Sequence, residues 1–138
     1  MSGKKVFLLV DDDKDRIEGV KDLFQSRGYI VDTAKTGREA MEKSQSKPYN
    51  LALLALKLAE KEGPEFLAGM RKLIPRTNTI MIVGGPSSKD VASSPDLGSE
   101  GYVIEPFDPE NLLKAVEDKL KEQAEVELYR SVIPWSKP

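Results

Sequence analysis

The sequence predicts an α/β fold, a (βα)5 doubly wound, five-stranded parallel sheet, on three observations. Five short, largely apolar runs (Val6–Val10, Tyr29–Ala34, Leu51–Leu56, Thr79–Val83 and Tyr102–Ile104) have the length of buried strands, the first of them with β-branched residues. Between them lie stretches whose apolar residues recur at helical spacing, several opened by a cap residue or a first-turn proline. Strand and helix alternate along the chain, and right-handed crossovers then place helices on both faces of one sheet. At 138 residues the chain is long enough for one domain with a real core.

The elements follow in order. Val6–Val10 ends abruptly in Asp11, Asp12 and Asp13. Asp13 is placed to cap a helix carrying Ile17, Val20 and Phe24, which Gly28 stops. After Tyr29–Ala34, Thr36 caps a helix with Ala40, Met41 and Ser44 on one side, closed by Pro48. Leu51–Leu56 is nearly all apolar, as an inner parallel strand should be, and runs into a charged loop, KLAEKEG, closed by Gly63. Pro64 then opens a helix with Phe66, Leu67, Met70 and Leu73 inward.

After Thr79–Val83 comes GGPSSKDVASSPDLGSEG, where a fourth helix is due. Pro86, Pro95 and five serines leave it room for about two turns, so residues 84–101 are expected to be the weakest and most mobile part of the domain. Asp108 and Pro109 supply a cap and a first-turn proline for the last helix, with Leu112, Leu113, Val116 and Leu120 on its inner face. That pattern runs on through Ala124 and Leu128 to about Ser131. Residues 4–123 thus form the domain, and 124–138 a helical extension and a tail containing Trp135.

Composition removes several functions. Lysine and arginine total 21 against 23 acids, with no basic run, so no phosphate-neutralising face for nucleic acid is suggested. Without histidine, imidazole catalysis and His-ligated metals are excluded; without cysteine there is no thiolate chemistry and no disulfide, in keeping with a reducing cytoplasm. The apolar start is broken by Asp11 too early for a signal-peptide core, and nothing else approaches membrane-spanning length. A cytoplasmic protein is expected.

In an open α/β sheet, chemistry gathers at the carboxyl edge of the strands. Asp11 and Asp12 stand there after the first strand, but the third strand brings Ala55, which can neither ionise, ligate a metal nor attack anything. The pieces VDDD, YNLALLALKLAEKEG, TIMIVGG and GYVIEPFDPENLL, in that order and spacing, resemble a response-regulator receiver domain from about Lys4 to Gln123. The resemblance implies the strand order 2-1-3-4-5 and a site that catalyses its own phosphorylation around a Mg2+ ion held by acids, since Mg2+ requires hard oxygen ligands.

Asp11 and Asp12 match the family's acidic pair. The family's phosphoryl-accepting aspartate falls on Ala55, its switch threonine or serine on Val83, and its lysine on Glu105. Only the acidic pair survives among the five. Ala55 removes the nucleophile and one metal ligand, Val83 lacks a hydroxyl for a phosphoryl oxygen, and Glu105 reverses a charge. The family's usual proline is absent at Ala59. Gly84 keeps the small residue beside the site, Tyr102 the aromatic, and Pro106 the turn, with the Glu105–Pro106 peptide expected cis.

Asp11, Asp12 and Glu105 would carry three like charges within a few ångströms, and such a group resists joint ionisation. Relief would come from a weakly bound Mg2+ or other divalent cation, from Lys57 or Lys89 swung over the cluster, from a shared raised pKa, or from Glu105 turning into water. The plain alternative is that Asp11–Asp13 are a strand-end and helix-cap cluster with no ligand. Tyr102 likewise reads either as a packed aromatic or as part of a switch and interaction surface with Gly84 and Lys57.

The expected function is that of a pseudo-receiver: a non-enzymatic, phosphorylation-independent signalling module, monomeric or weakly dimeric. It would bind protein partners through the fourth helix, fifth strand and fifth helix, with no nucleic acid or membrane. The rivals are a receiver still phosphorylated on Glu60, Glu62 or Asp13, and a metal- or small-ligand module at the sheet edge. For the last, no glycine-rich phosphate loop follows the first strand.

Overall fold

The computed structural model describes residues 4–74, 78–83, 102–104 and 108–132. Strands β1 (Val6–Val10), β2 (Ile30–Ala34), β3 (Leu51–Ala55), β4 (Thr79–Val83) and β5 (Tyr102–Ile104) form one sheet in the order β2-β1-β3-β4-β5. Every pairing is parallel. The described helices are α1 (Lys14–Ser26), α2 (Gly37–Ser46), α3 (Leu56–Glu62), α4 (Pro64–Leu73) and α5 (Pro109–Val132). This is the predicted fold and strand order.

Side chains alternate across the sheet, and the two faces bury separate clusters. Phe7 and Leu9 of β1, Leu51 and Leu53 of β3, and Ile80 and Ile82 of β4 pack with Ile17, Val20 and Phe24 of α1 and Leu112, Leu113 and Val116 of α5. The intervening Leu8, Val10, Ala52, Leu54, Met81 and Val83 pack with Ala40 of α2, Leu56, Leu58 and Ala59 of α3, and Phe66 and Met70 of α4. A strand with both faces covered has no use for polar residues, which explains why β3 is buried at all five positions.

Local chemistry sets the helix ends. Asp13 caps α1 by accepting from the Arg16 N–H at 3.0 Å. Thr36 caps α2 by accepting from the Glu39 N–H at 3.1 Å, while the Glu39 carboxylate accepts from the Lys35 N–H at 2.8 Å. At the end of α1, Gly28 takes a positive φ of 90° and the Tyr29 N–H donates to the Phe24 carbonyl at 3.1 Å. Tyr29 therefore closes the helix instead of opening β2, one residue from the predicted boundary. Asp108 accepts from the Glu110 N–H at 3.0 Å at the start of α5.

Two expectations are corrected. The charged stretch after β3 is a helix, α3, which begins at Leu56, so the strand ends at Ala55. Leucine, lysine, alanine and glutamate are good helix formers, and Leu56, Leu58 and Ala59 are buried, which supplies the packing that propensity alone would lack. Gly63, with φ 94°, ends α3, and Pro64 begins α4. Secondly, Leu73 is not inward but 38% exposed; the next residue, Ile74, is 3% exposed and joins the core at the turn out of α4. The expected weak fourth helix, residues 84–101, lies outside the described residues.

Candidate functional site

The parallel register aligns the carboxyl ends of the inner strands. Val10 pairs with Leu54, Ala55 with Ile82, and Val83 with Ile104, so whatever follows these residues converges on one edge. Asp11 and Asp12 project from β1 there, beside Ala55 and Val83. Gly84, Glu105, Pro106 and Lys89 lie outside the described residues.

Ala55 is 1% exposed and Val83 fully buried, and both belong to the cluster under α2, α3 and α4. The position that the resemblance assigns to a nucleophile is a piece of hydrophobic core. α3 starts immediately after it, with Ala55 as its N-cap residue making no side-chain capping bond.

Asp11 is fully buried. Its backbone N–H continues the sheet by donating to the Ala34 carbonyl at 3.0 Å. Its carboxylate is met by the Arg16 guanidinium through both oxygens: Arg16 Nε donates to Oδ2, and Nη2 donates to Oδ1 at 2.9 Å. The Asp13 N–H also donates to Oδ1, at 3.0 Å. Arg16 is the third residue of α1, and helical side chains lean toward the N-terminus, so an arginine there folds back over the cap onto the strand end. A planar two-donor fork facing a carboxylate is the strongest ordinary hydrogen-bonded ion pair.

Asp12 is half-exposed and lies 3.7 Å from the Lys61 ammonium of α3. Lys57, one of the alternatives for a cation swung over the acids, is exposed and makes no ion pair among the described residues. The cations beside the described acids are thus Arg16 and Lys61, which the sequence reading did not single out. An arginine three residues after a helix cap was the available signal for the first. The second depended on residues 56–62 being helical. Asp13 is committed to capping α1, and Tyr102 is half-buried against the α3/α4-side cluster. Among the described residues no group of three or more acids is placed to hold a metal ion, and no helix is long and apolar enough to cross a membrane.

The model of the response regulator receiver domain family matches residues 7–117. A solved response regulator receiver domain protein (CheY-like) from Methanospirillum hungatei JF-1 is 34% identical, with a TM-score of 0.76 over 89% of this chain and 98% of that one. The transcriptional regulatory protein DltR of Streptococcus agalactiae is 29% identical over 79% of this chain and 49% of its own length. The response regulator ArlR of Staphylococcus epidermidis is 29% identical over 84% and 52%. The chain spans about half the length of these curated relatives, and the name of the first concerns transcription, a setting that this chain's own charge balance did not suggest. With the family model covering most of its length, and the sheet order and carboxyl edge as described, this protein belongs to the response regulator receiver domain family.

Proposed function

We propose that this chain is a pseudo-receiver, a receiver module that signals through protein contacts without accepting a phosphoryl group. The observation that carries the reading is Ala55: at the end of β3, where the family resemblance puts the accepting aspartate, stands a methyl group 1% exposed in the core. No oxygen at that position can attack phosphorus. Val83 beside it is equally apolar and buried, so no hydroxyl is offered at the fourth strand's end. A ligand shifts an equilibrium only by binding its two states differently, and these positions offer phosphate no such difference. The module then acts as a fixed surface rather than a switch, and its partner is a protein that reads one shape.

The rival acids are poorly placed. In-line attack needs the nucleophile within about 3–3.5 Å of phosphorus. Asp13 is occupied at the cap of α1, and Glu60 and Glu62 project from the exposed side of α3. Incubation with acetyl phosphate and Mg2+, followed by intact-mass measurement, is expected to leave the mass unchanged. A stoichiometric gain of one phosphoryl group, mapped to any of these acids, would overturn the reading.

A further inference from the structure

The receiver family resemblance implies a Mg2+ ion at the acidic pair, and the residues here do not fit one. Mg2+ demands near-octahedral oxygen coordination, with carboxylates turned toward the ion. Both oxygens of Asp11 already accept from Arg16, and Oδ1 accepts from the Asp13 N–H as well. Asp12 faces the Lys61 ammonium at 3.7 Å. The third position, Ala55, carries no side-chain oxygen. We propose that Arg16 is a built-in counter-ion that takes the place of the divalent cation, so that the acidic edge is held in one arrangement without metal.

Three features support the substitution. Asp11 is fully buried, so its charge needs a partner that stays in place, and the Arg16 side chain is only 18% exposed. Arg16 is also pre-positioned: its backbone N–H is fixed by the Asp13 cap, five residues from Asp11 along the chain, and only the side chain has to be ordered. Finally, a guanidinium does not deprotonate in a protein, so no physiological pH change releases Asp11 to a metal. A divalent ion would have to expel the guanidinium from a buried carboxylate to gain the Asp11 oxygens, and Asp12 is the other carboxylate of the pair. Lys61 is a weaker guard, 72% exposed at its side chain and reaching a half-exposed acid.

This deepens the pseudo-receiver reading and rests on the same altered edge, but a chain that refuses phosphate could still bind metal. The test therefore uses metal alone, with no phosphodonor. Mg2+ and Mn2+ chlorides are titrated at constant ionic strength into the full chain and its Arg16→Met variant, with melting temperature as the readout. Wild type is expected to be indifferent to millimolar metal. Arg16→Met is expected to melt lower in chelator and to rise with the logarithm of metal concentration, because Asp11 and Asp12 are then a pair lacking its strongest cation. A metal-dependent rise in wild type, or no rise in a folded Arg16→Met, would overturn the proposal. Should that variant fail to fold, Mn2+ added to wild type decides: uniform amide signals support the proposal, and selective broadening at Asp11–Asp13 overturns it.

Discussion

Asp11 and Asp32 are both carboxylates of the sheet region, and the chain satisfies them by different means. Asp11 faces a single arginine from its own next helix, a pairing the sequence signals only by the place of Arg16 three residues after the Asp13 cap. The triplet Asp11–Asp13 and the alanine at 55 are legible because strand ends are marked by where the apolar runs stop. That Arg16 folds back depends on a side-chain direction set only once α1 is capped. Asp32, on the edge strand β2, is held by the Tyr49 hydroxyl at 2.7 Å and the Lys47 ammonium at 2.8 Å. Burial is the largest influence on Asp32 and pushes its pKa up, but the bonds from Lys47 and Tyr49, with the charges of Lys47 and Lys43, together carry it below the ordinary carboxylate value. Burial and the neighbouring Asp32 charge push the Tyr49 hydroxyl the other way, well above the usual tyrosine range. The unfolded chain restores Asp32 to about 3.9, so on acidification the unfolded state binds that proton first. The stability Asp32 contributes is complete above its unfolded pKa and is lost as pH falls through its lower folded value. Asp32→Asn is expected to cost about 1 kcal/mol at neutral pH. Urea midpoints should show the gap to wild type closing as pH drops below about 4. A gap that stays constant through acid would mean that the ionised carboxylate contributes nothing.

Among the elements, α3 is where sequence and structure part. The stretch KLAEKEG looks like a loop because its charges are dense and it is hemmed between a strand and Gly63-Pro64. The three buried residues of α3, Leu56, Leu58 and Ala59, become meaningful only once α2 and α4 are in place to receive them. The β-strands were legible almost to the residue, since burial on two faces leaves uninterrupted apolar runs. Leu73 was misplaced because it stands three residues after the buried Met70, whereas Ile74, four residues after it at the exit of α4, is the residue that goes in. The packing of α2 on these helices makes a testable contrast between two glycines. A Cβ on Gly37 would lie 2.6 Å from the Glu62 Oε1 and 2.9 Å from the Phe66 Cδ1. The glutamate can swing away, but Phe66 is 8% exposed in the core and has nowhere to go. A Cβ on Gly69 would meet only the Sδ and Cε end of Met41, at 3.3 and 2.9 Å, and an unbranched methionine gives way easily. Gly37→Ala is therefore expected to destabilise by about 1 kcal/mol or more through overpacking. Gly69→Ala is expected to be neutral or to stabilise by up to about 1 kcal/mol from helix propensity. Chemical denaturation of the two variants checks the pair, and equal losses at both sites would contradict the close approach of α3 and α4 to α2.

For the whole molecule, the question is how much of the chain the two-faced core requires, and α5 answers it. The helix runs without interruption from Pro109 to Val132, but its partners end sooner. Leu112, Leu113 and Val116 are buried against the α1-side cluster, Lys119 is 6% exposed, and Leu120 packs at the margin of that cluster. Further along, the Gln123 side-chain amide donates to the Asn50 carbonyl at 3.3 Å, just ahead of β3. Beyond it Val126, Leu128 and Tyr129 are 50, 64 and 56% exposed, so these residues add much less burial than Leu112, Leu113 and Val116. Tolerance to truncation follows burial and hydrogen bonding rather than the length of an element. A chain ending at Gln123 is expected to fold with a stability within about 1 kcal/mol of the full chain, a melting shift of no more than about 5 °C. Ending the chain at Asp118 also removes Lys119, Leu120 and the Gln123 bond, and with them apolar surface from the margin of the core. That version is expected to lose a further 1–3 kcal/mol, roughly the burial of one large side chain. Thermal melts of the three lengths separate the outcomes. If removal of residues 124–138 alone collapses the fold, then the distal half of α5 is held by contacts that its exposed described residues do not reveal, and the domain extends past Gln123.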